Sequence, residues 1–125
     1  MKSALNGNRG QAFLIELRDA MDAMPDKRLV ADTLEAEGQF CTLGVIGAKR
    51  GLDMKGIDAH CRESVAQAFG IAEAMAAEIV YENDESPGEF IQQSDGRWKL
   101  IPDTPEQRWQ RMRKWVDSHI KQAVP

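Results

Sequence analysis

The sequence predicts a mainly α fold, a compact domain of four to five helices with a small β-hairpin before the C-terminal helix. Three observations carry this expectation. Apolar residues recur at the 3.6-residue period through most of the chain. A nearly uncharged run between Gly38 and Gly51 is apolar or small on every side, the pattern of a helix buried all round. Two short β-type runs flank Asp95-Gly96.

Asn8, with Gln11 three residues on, reads as a helix start, after which Phe13, Leu14, Leu17, Ala20, Met21 and Met24 hold one face until Pro25 stops it. Asp26 to Glu37 reads as a shorter helix with Leu29, Val30, Thr33 and Leu34 on one side, although Arg28 to Thr33 also fits a short strand. The central helix is placed at Cys41 to Arg50. There Gly44 and Gly47 let a neighbouring helix approach closely, Lys49 and Arg50 suit the carboxyl end of the dipole, and Gly51 supplies a left-handed stop.

Asp58 reads as the cap of the next helix, from about Ala59 to Asn83. Its stripe of Val65, Ala68, Phe69, Ala72, Met75, Ala76, Ile79 and Val80 stays in phase across Gly70, which favours one kinked helix over two. Asn83 to Gly88 is a loop signal. Phe90 to Gln92 and Arg97 to Ile101 are the hairpin strands, and because an isolated hairpin is marginal they are expected to lean on helices. Thr104, Pro105 and Gln107 give a cap, a proline at the first helical position and a capping-box partner. The helix they open is expected to run to about Gln122 and to bury Trp109, Met112, Val116 and Ile120.

At 125 residues the chain has room for one core, so a single domain is expected over 1–125, with 1–7 and 123–125 as flexible ends. A content of 42% hydrophobic and 29% charged residues excludes collagen-like, disordered and disulfide-scaffold classes. No run approaches the ~18 apolar residues of a membrane span and the start has no signal-peptide core, which predicts a cytoplasmic protein with no membrane role. In that compartment Cys41 and Cys61 are expected as reduced thiols. A net charge of -4 argues against a protein that works by neutralising phosphates. The charge is nonetheless segregated: residues 105–125 hold 5 basic and 2 acidic side chains, whereas between Arg62 and Arg97 there are eight acids and no Lys or Arg.

Few motifs carry chemistry. His60 and Cys61 are sequence neighbours that point about 100° apart on a helix, so they do not make a catalytic pair. With Cys41 and His119 they reach the count for a Cys2His2 zinc site but lack its short paired spacings. Glu82, Asp84 and Glu85 cluster where a helix ends. Like charges are unfavourable there, so a positive group should offset them, and Arg108, Arg111, Arg113, Lys114 and Lys121 of the last helix are the candidates. Trp115 and Trp98 are the only aromatics expected at the surface. With Arg111 they read as a protein-binding patch, since Trp and Arg concentrate at interface hot spots. The candidate binding residues are therefore Trp98, Arg111, Trp115, Asn83 and Asp84, with no catalytic residue, metal ligand or cofactor assigned.

The segments Asp26-Lys27-Arg28-Leu29, Cys41-Thr42-Leu43-Gly44, Arg50-Gly51-Leu52-Asp53-Met54, Phe69-Gly70-Ile71-Ala72, Glu78-Ile79 with Asn83-Asp84, and Pro105-Glu106 with Arg108-Trp109 and Met112 occur in this order. In that order they resemble a family of small uncharacterised proteins encoded by bacteriophages and prophages, over about Asn8 to Ile120. The resemblance implies a genomic setting and no site residues. By analogy with other small phage accessory proteins it implies binding to a host protein in the bacterial cytoplasm, as antidefence and host-takeover factors do. Two other classes compete with that reading. A nucleic-acid-binding protein would need the arginines of the last helix and Trp115 to face solvent together. A small metal-dependent hydrolase would need a pocket in which Asp84, Glu85 and His60 converge. The oligomeric state is left open, a homodimer included.

Overall fold

The first apolar stripe forms the helix expected of it, and the rest of the core is laid against that helix. The computed structural model describes residues 2–85 and 89–121. Its helices are α1 (Lys2–Asn6), α2 (Asn8–Asp22), α3 (Thr42–Arg50), α4 (Arg62–Phe69), α5 (Glu73–Asp84) and α6 (Pro105–His119). Two antiparallel hairpins complete the fold, β1 (Glu35–Ala36) with β2 (Gln39–Phe40) and β3 (Glu89–Gln92) with β4 (Trp98–Ile101). The mainly α class with a hairpin before the last helix is thus observed. The expected chain end at 123–125, Gln122 and the Ser86–Gly88 part of the loop signal lie outside the described residues.

Phe13, Leu14, Leu17, Ala20 and Met21 of α2 are buried as the periodicity predicts. The cap is different. Gly7 caps α2 and Asn8 is its first helical residue. Gln11 spends its amide elsewhere, donating to the carbonyls of Leu5 and His119 (both 2.8 Å) and accepting from the Lys121 N–H (2.8 Å), which ties the end of α6 to the start of the chain. Residues 2–6, expected as part of a flexible lead, form α1 and bury Leu5. Gly10 makes that docking possible, because a Cβ there would overlap the Ala4 carbonyl.

Thr42 to Gly47 of α3 are all buried, so the central placement of this helix holds. Cys41 caps its start through Sγ, which accepts from the Gly44 N–H (3.4 Å), and Gly51 closes its end in the left-handed region (φ 71°). The two inner glycines admit something other than a helix. A Cβ at Gly44 would overlap the Leu34 carbonyl, and one at Gly47 the Met54 thioether, so loops rather than a helix make the close approach.

Two expected helices are corrected. Residues 26–34 form no helix, because their backbone groups bond to other elements: Leu29 N–H to Pro105 O (3.0 Å), Val30 N–H to Phe40 O (2.9 Å), and Leu34 O accepts from Cys41 N–H (3.1 Å). Asp32 also sits at φ 67°, which no right-handed helix accommodates. Leu29 and Leu34 still reach the core from this extended path. The second correction is at Gly70, which breaks rather than kinks its helix: at φ 70° it is the left-handed cap of α4, and α5 starts afresh at Glu73. Asp58 likewise closes a local turn onto the His60 N–H (2.9 Å) and caps no helix.

Ion pairs at the margins join the long helices. Glu16 of α2 takes Arg50 of α3 in a two-point contact (2.7 and 3.1 Å) with Lys49 beside it (3.3 Å), and Asp22 holds Arg113 of α6 in the same manner (2.8 and 3.0 Å). The Arg50 guanidinium holds the Glu16 carboxyl below its ordinary value of 4.5. A depressed carboxyl contributes stability that is complete above that ordinary value and is lost as pH falls through the lowered one. Glu16→Gln should therefore cost about 1 kcal/mol or less at neutral pH and nothing at pH 2, measured by urea denaturation at both. An equal cost at both values would contradict the pairing.

Candidate functional site

Four of the five residues singled out by sequence belong to the body of the fold. Asn83, in the last turn of α5, is buried and saturated. Its Oδ1 accepts from the Thr42 N–H (3.1 Å) and hydroxyl (2.7 Å) at the start of α3, and its Nδ2 donates to Val30 O (3.0 Å) and Asp84 Oδ1 (2.7 Å). Its own carbonyl receives Arg108 Nε (3.1 Å) and Arg111 Nη2 (3.2 Å). Arg111 also pairs with Asp103 (2.8 Å) and donates to Glu82 O, and Arg108 reaches Leu29 O (3.2 Å). The positive groups that the acidic end of α5 called for are these two guanidinium ions, and they meet its last-turn carbonyls rather than its carboxylates.

Trp115 is corrected from surface to half-buried. It packs against the core, and His119 lies over it at 4.5 Å between ring centroids. Trp109 is half-buried too, with Lys27 5.5 Å above its ring, while Met112 and Val116 are the fully buried members of the expected stripe. The arginines and Trp115 therefore do not share a solvent face. Of the four lysines and arginines on α6, Arg108, Arg111 and Arg113 are engaged as described, leaving exposed Lys114, with Lys121 just past the helix, without an ion pair among the described residues.

Trp98 is the exception. The β3–β4 register pairs Phe90 with Leu100 and Gln92 with Trp98, and residues two apart on a strand share a face, so Phe90, Leu100 and Trp98 form one apolar stripe. They are 60%, 44% and 66% exposed, and Ile91 on the opposite face is 43% exposed. The expectation that this hairpin leans on helices is corrected: nothing among the described residues covers the stripe. Its turn is well built, with Gln93 N–H on Arg97 O (2.6 Å), Asp95 Oδ1 accepting from the Arg97 N–H (2.9 Å), and Gly96 left-handed at φ 86°. Sequence reasoning had the strands and Trp98 but missed Phe90 and Leu100 as surface residues. Period-2 alternation puts all three on one side, yet it also describes a face packed on a helix.

A second exposed apolar feature is an open groove of about 390 Å³ between α2 and α3, lined by Ala20, Ala23, Met24, Phe40, Val45 and Ala48 together with Asp19 and Lys49. His60, Asp84 and Glu85 do converge, on an open cavity of about 200 Å³ beside α5.

The two cysteines are free and differ as expected. Burial pushes the Cys41 thiol up to about 11, whereas the Ser64 hydroxyl, 3.2 Å from exposed Cys61 Sγ, lowers the latter. Native-state labelling should modify Cys61 first and Cys41 only when the fold opens. Equal rates would contradict this.

No protein-family model, curated protein or solved structure matches the chain. Among the described residues, no helix is long and apolar enough to cross a membrane.

Proposed function

We propose that this chain is a binding protein, an accessory factor of a phage or prophage that engages a protein of its bacterial host, and that the β3–β4 hairpin is its docking element. The observation that carries the reading is the uncovered stripe of Phe90, Leu100 and Trp98. A lone two-stranded ribbon gains little from its own pairing, so three large apolar side chains on one face add cost in water unless a partner covers them. Trp98, at the turn end of the stripe, is the side-chain type that dominates interface energies. The phage setting rests on the order of motifs alone, and it implies antidefence or host takeover as the form of host binding.

The nucleic-acid reading has less support. Three of the four lysines and arginines on α6 are committed within the fold, and a duplex binder contacting six or more phosphates through this helix would need more free cations than Lys114 and the following Lys121 supply. In the hairpin Arg97 pairs with Asp95 (3.6 Å) and Lys99 adds one more, and a titration against DNA and RNA at two salt concentrations should give only shallow, weak binding.

Affinity capture from host extract tests the proposal. Wild-type chain should retain one protein stoichiometrically, and the pair Phe90→Ser with Trp98→Ser should lose it at least tenfold while keeping the thermal transition of the wild type. Retention by that variant, with loss on Ala23→Glu in the α2–α3 groove, would move the docking surface away from the hairpin. Sedimentation of the free chain separates a host partner from a second copy.

A further inference from the structure

We infer that Asp32, His60 and Asp84 form a binding site for a divalent transition-metal cation of the zinc type, independent of the hairpin and its partner. The three come from separate stretches of chain: the extended segment after α2, the turn before α4 and the last turn of α5. Each offers one donor atom, and these atoms all lie within 4.8 Å of one another, with His60 Nε2 4.0 Å from Asp32 Oδ1.

The donor set is mixed. Two carboxylates alone would suit calcium or magnesium, but one imidazole nitrogen with two carboxylate oxygens suits zinc and its neighbours, which take His and Asp at about 2.0–2.2 Å. Ligand atoms of a tetrahedral site then stand about 3.3 Å apart, so the cluster must close by roughly 1 Å. Exposed Asp32 and His60 can swing that far. Asp84 is the fixed member, because its Oδ1 already accepts from the Asp32 N–H (3.1 Å) and from Asn83 Nδ2 (2.7 Å), which leaves Oδ2 for the ion. Those two donors orient the carboxylate as outer partners orient metal ligands elsewhere.

The second observation is the cavity of about 200 Å³ that the cluster borders. His60 and Asp84 form part of its wall, with Tyr81, Glu85 and Arg62 around the remainder. Three protein ligands beside a cavity leave a coordination position for water or a small oxygen ligand, the arrangement that separates open sites from closed four-ligand structural ones. The sequence named His60 and Asp84 in a metal-dependent reading, but spacing did not announce Asp32. Its members are 28 and 24 residues apart, and Asp32 enters only because its segment is extended and left-handed at that point.

Titration calorimetry of the full chain with Zn²⁺ tests it, using Asp32→Asn, His60→Ala, Asp84→Asn and, as the control for the neighbouring thiol, Cys61→Ser. One saturable site per chain is expected, weakened at least tenfold by each of the first three substitutions, unchanged by Cys61→Ser, and much weaker for Mg²⁺. Asp84→Asn also disturbs the bond to the Asp32 backbone, so Asp32→Asn, at an exposed side chain, is the decisive variant. Co²⁺ in place of Zn²⁺ should show d–d bands without a thiolate charge-transfer band. Absence of saturable binding, unaltered affinity in Asp32→Asn and His60→Ala, or loss on Cys61→Ser with a thiolate band would overturn the proposal.

Discussion

Asn83→Ala is expected to destabilise the fold by about 3–5 kcal/mol, since each buried group left without its partner costs about 1–3 kcal/mol. The buried Thr42 N–H and Thr42 hydroxyl lose theirs, as does the half-buried Val30 carbonyl, and Asp84 Oδ1 loses one of its two donors. Thr42 is buried, and the N–H concerned is an orphan donor of the α3 amino end, so water cannot replace the amide without opening the junction between α3, α5 and the extended segment. Thr42→Val removes only the hydroxyl and should cost about 1 kcal/mol. Chemical denaturation of the two variants gives both numbers. A loss below 1 kcal/mol for Asn83→Ala would mean that the amide is not the joint described here.

Gly44→Ala should be nearly as damaging, about 3 kcal/mol, at the upper end of what overpacking costs. The added methyl meets the Leu34 carbonyl, a backbone group, and that oxygen also accepts the Cys41 N–H, so the methyl cannot be accommodated without breaking a hydrogen bond. Gly47→Ala is the internal comparison. There the obstacle is the Met54 thioether, a flexible side chain that can turn aside, and about 1 kcal/mol is expected. Thermal unfolding of the pair decides the matter, and a reversed order would contradict the packing of residues 29–34 against α3.

The contrast between these glycines shows which part of the fold was legible. Periodicity placed α2 and α6, because each buries a stripe that its own residues announce, a run apolar on every side placed α3, and the Thr104 capping box marked where α6 starts. The segment after Pro25 was misread because Leu29, Val30, Thr33 and Leu34 have helical spacing, while its hydrogen bonds to Pro105 and Phe40 depend on elements far away in sequence. Gly70 was misread for a related reason: an apolar stripe that remains in phase does not reveal a left-handed residue.

Several residues of the ordered sequence motifs sit at these junctions. Lys27 covers Trp109, Arg28 pairs with Glu106 (3.1 Å), Cys41 caps α3, and Asn83 joins three segments. Asn83 and Arg111, chosen as binding residues, hold the fold together, and a local sequence cannot separate those roles when the partner group is a distant carbonyl. Trp98 was legible as exposed, but the openness of its whole strand face follows only from where the helices end.

The most direct measurement places a photoreactive residue at position 98, with position 114 on α6 and position 23 in the α2–α3 groove as controls, and illuminates each protein in host extract. Docking through the hairpin predicts one dominant adduct, of a single protein, from position 98. Equal labelling at all three positions, or a dominant adduct from position 114 or 23 with none from 98, would contradict it.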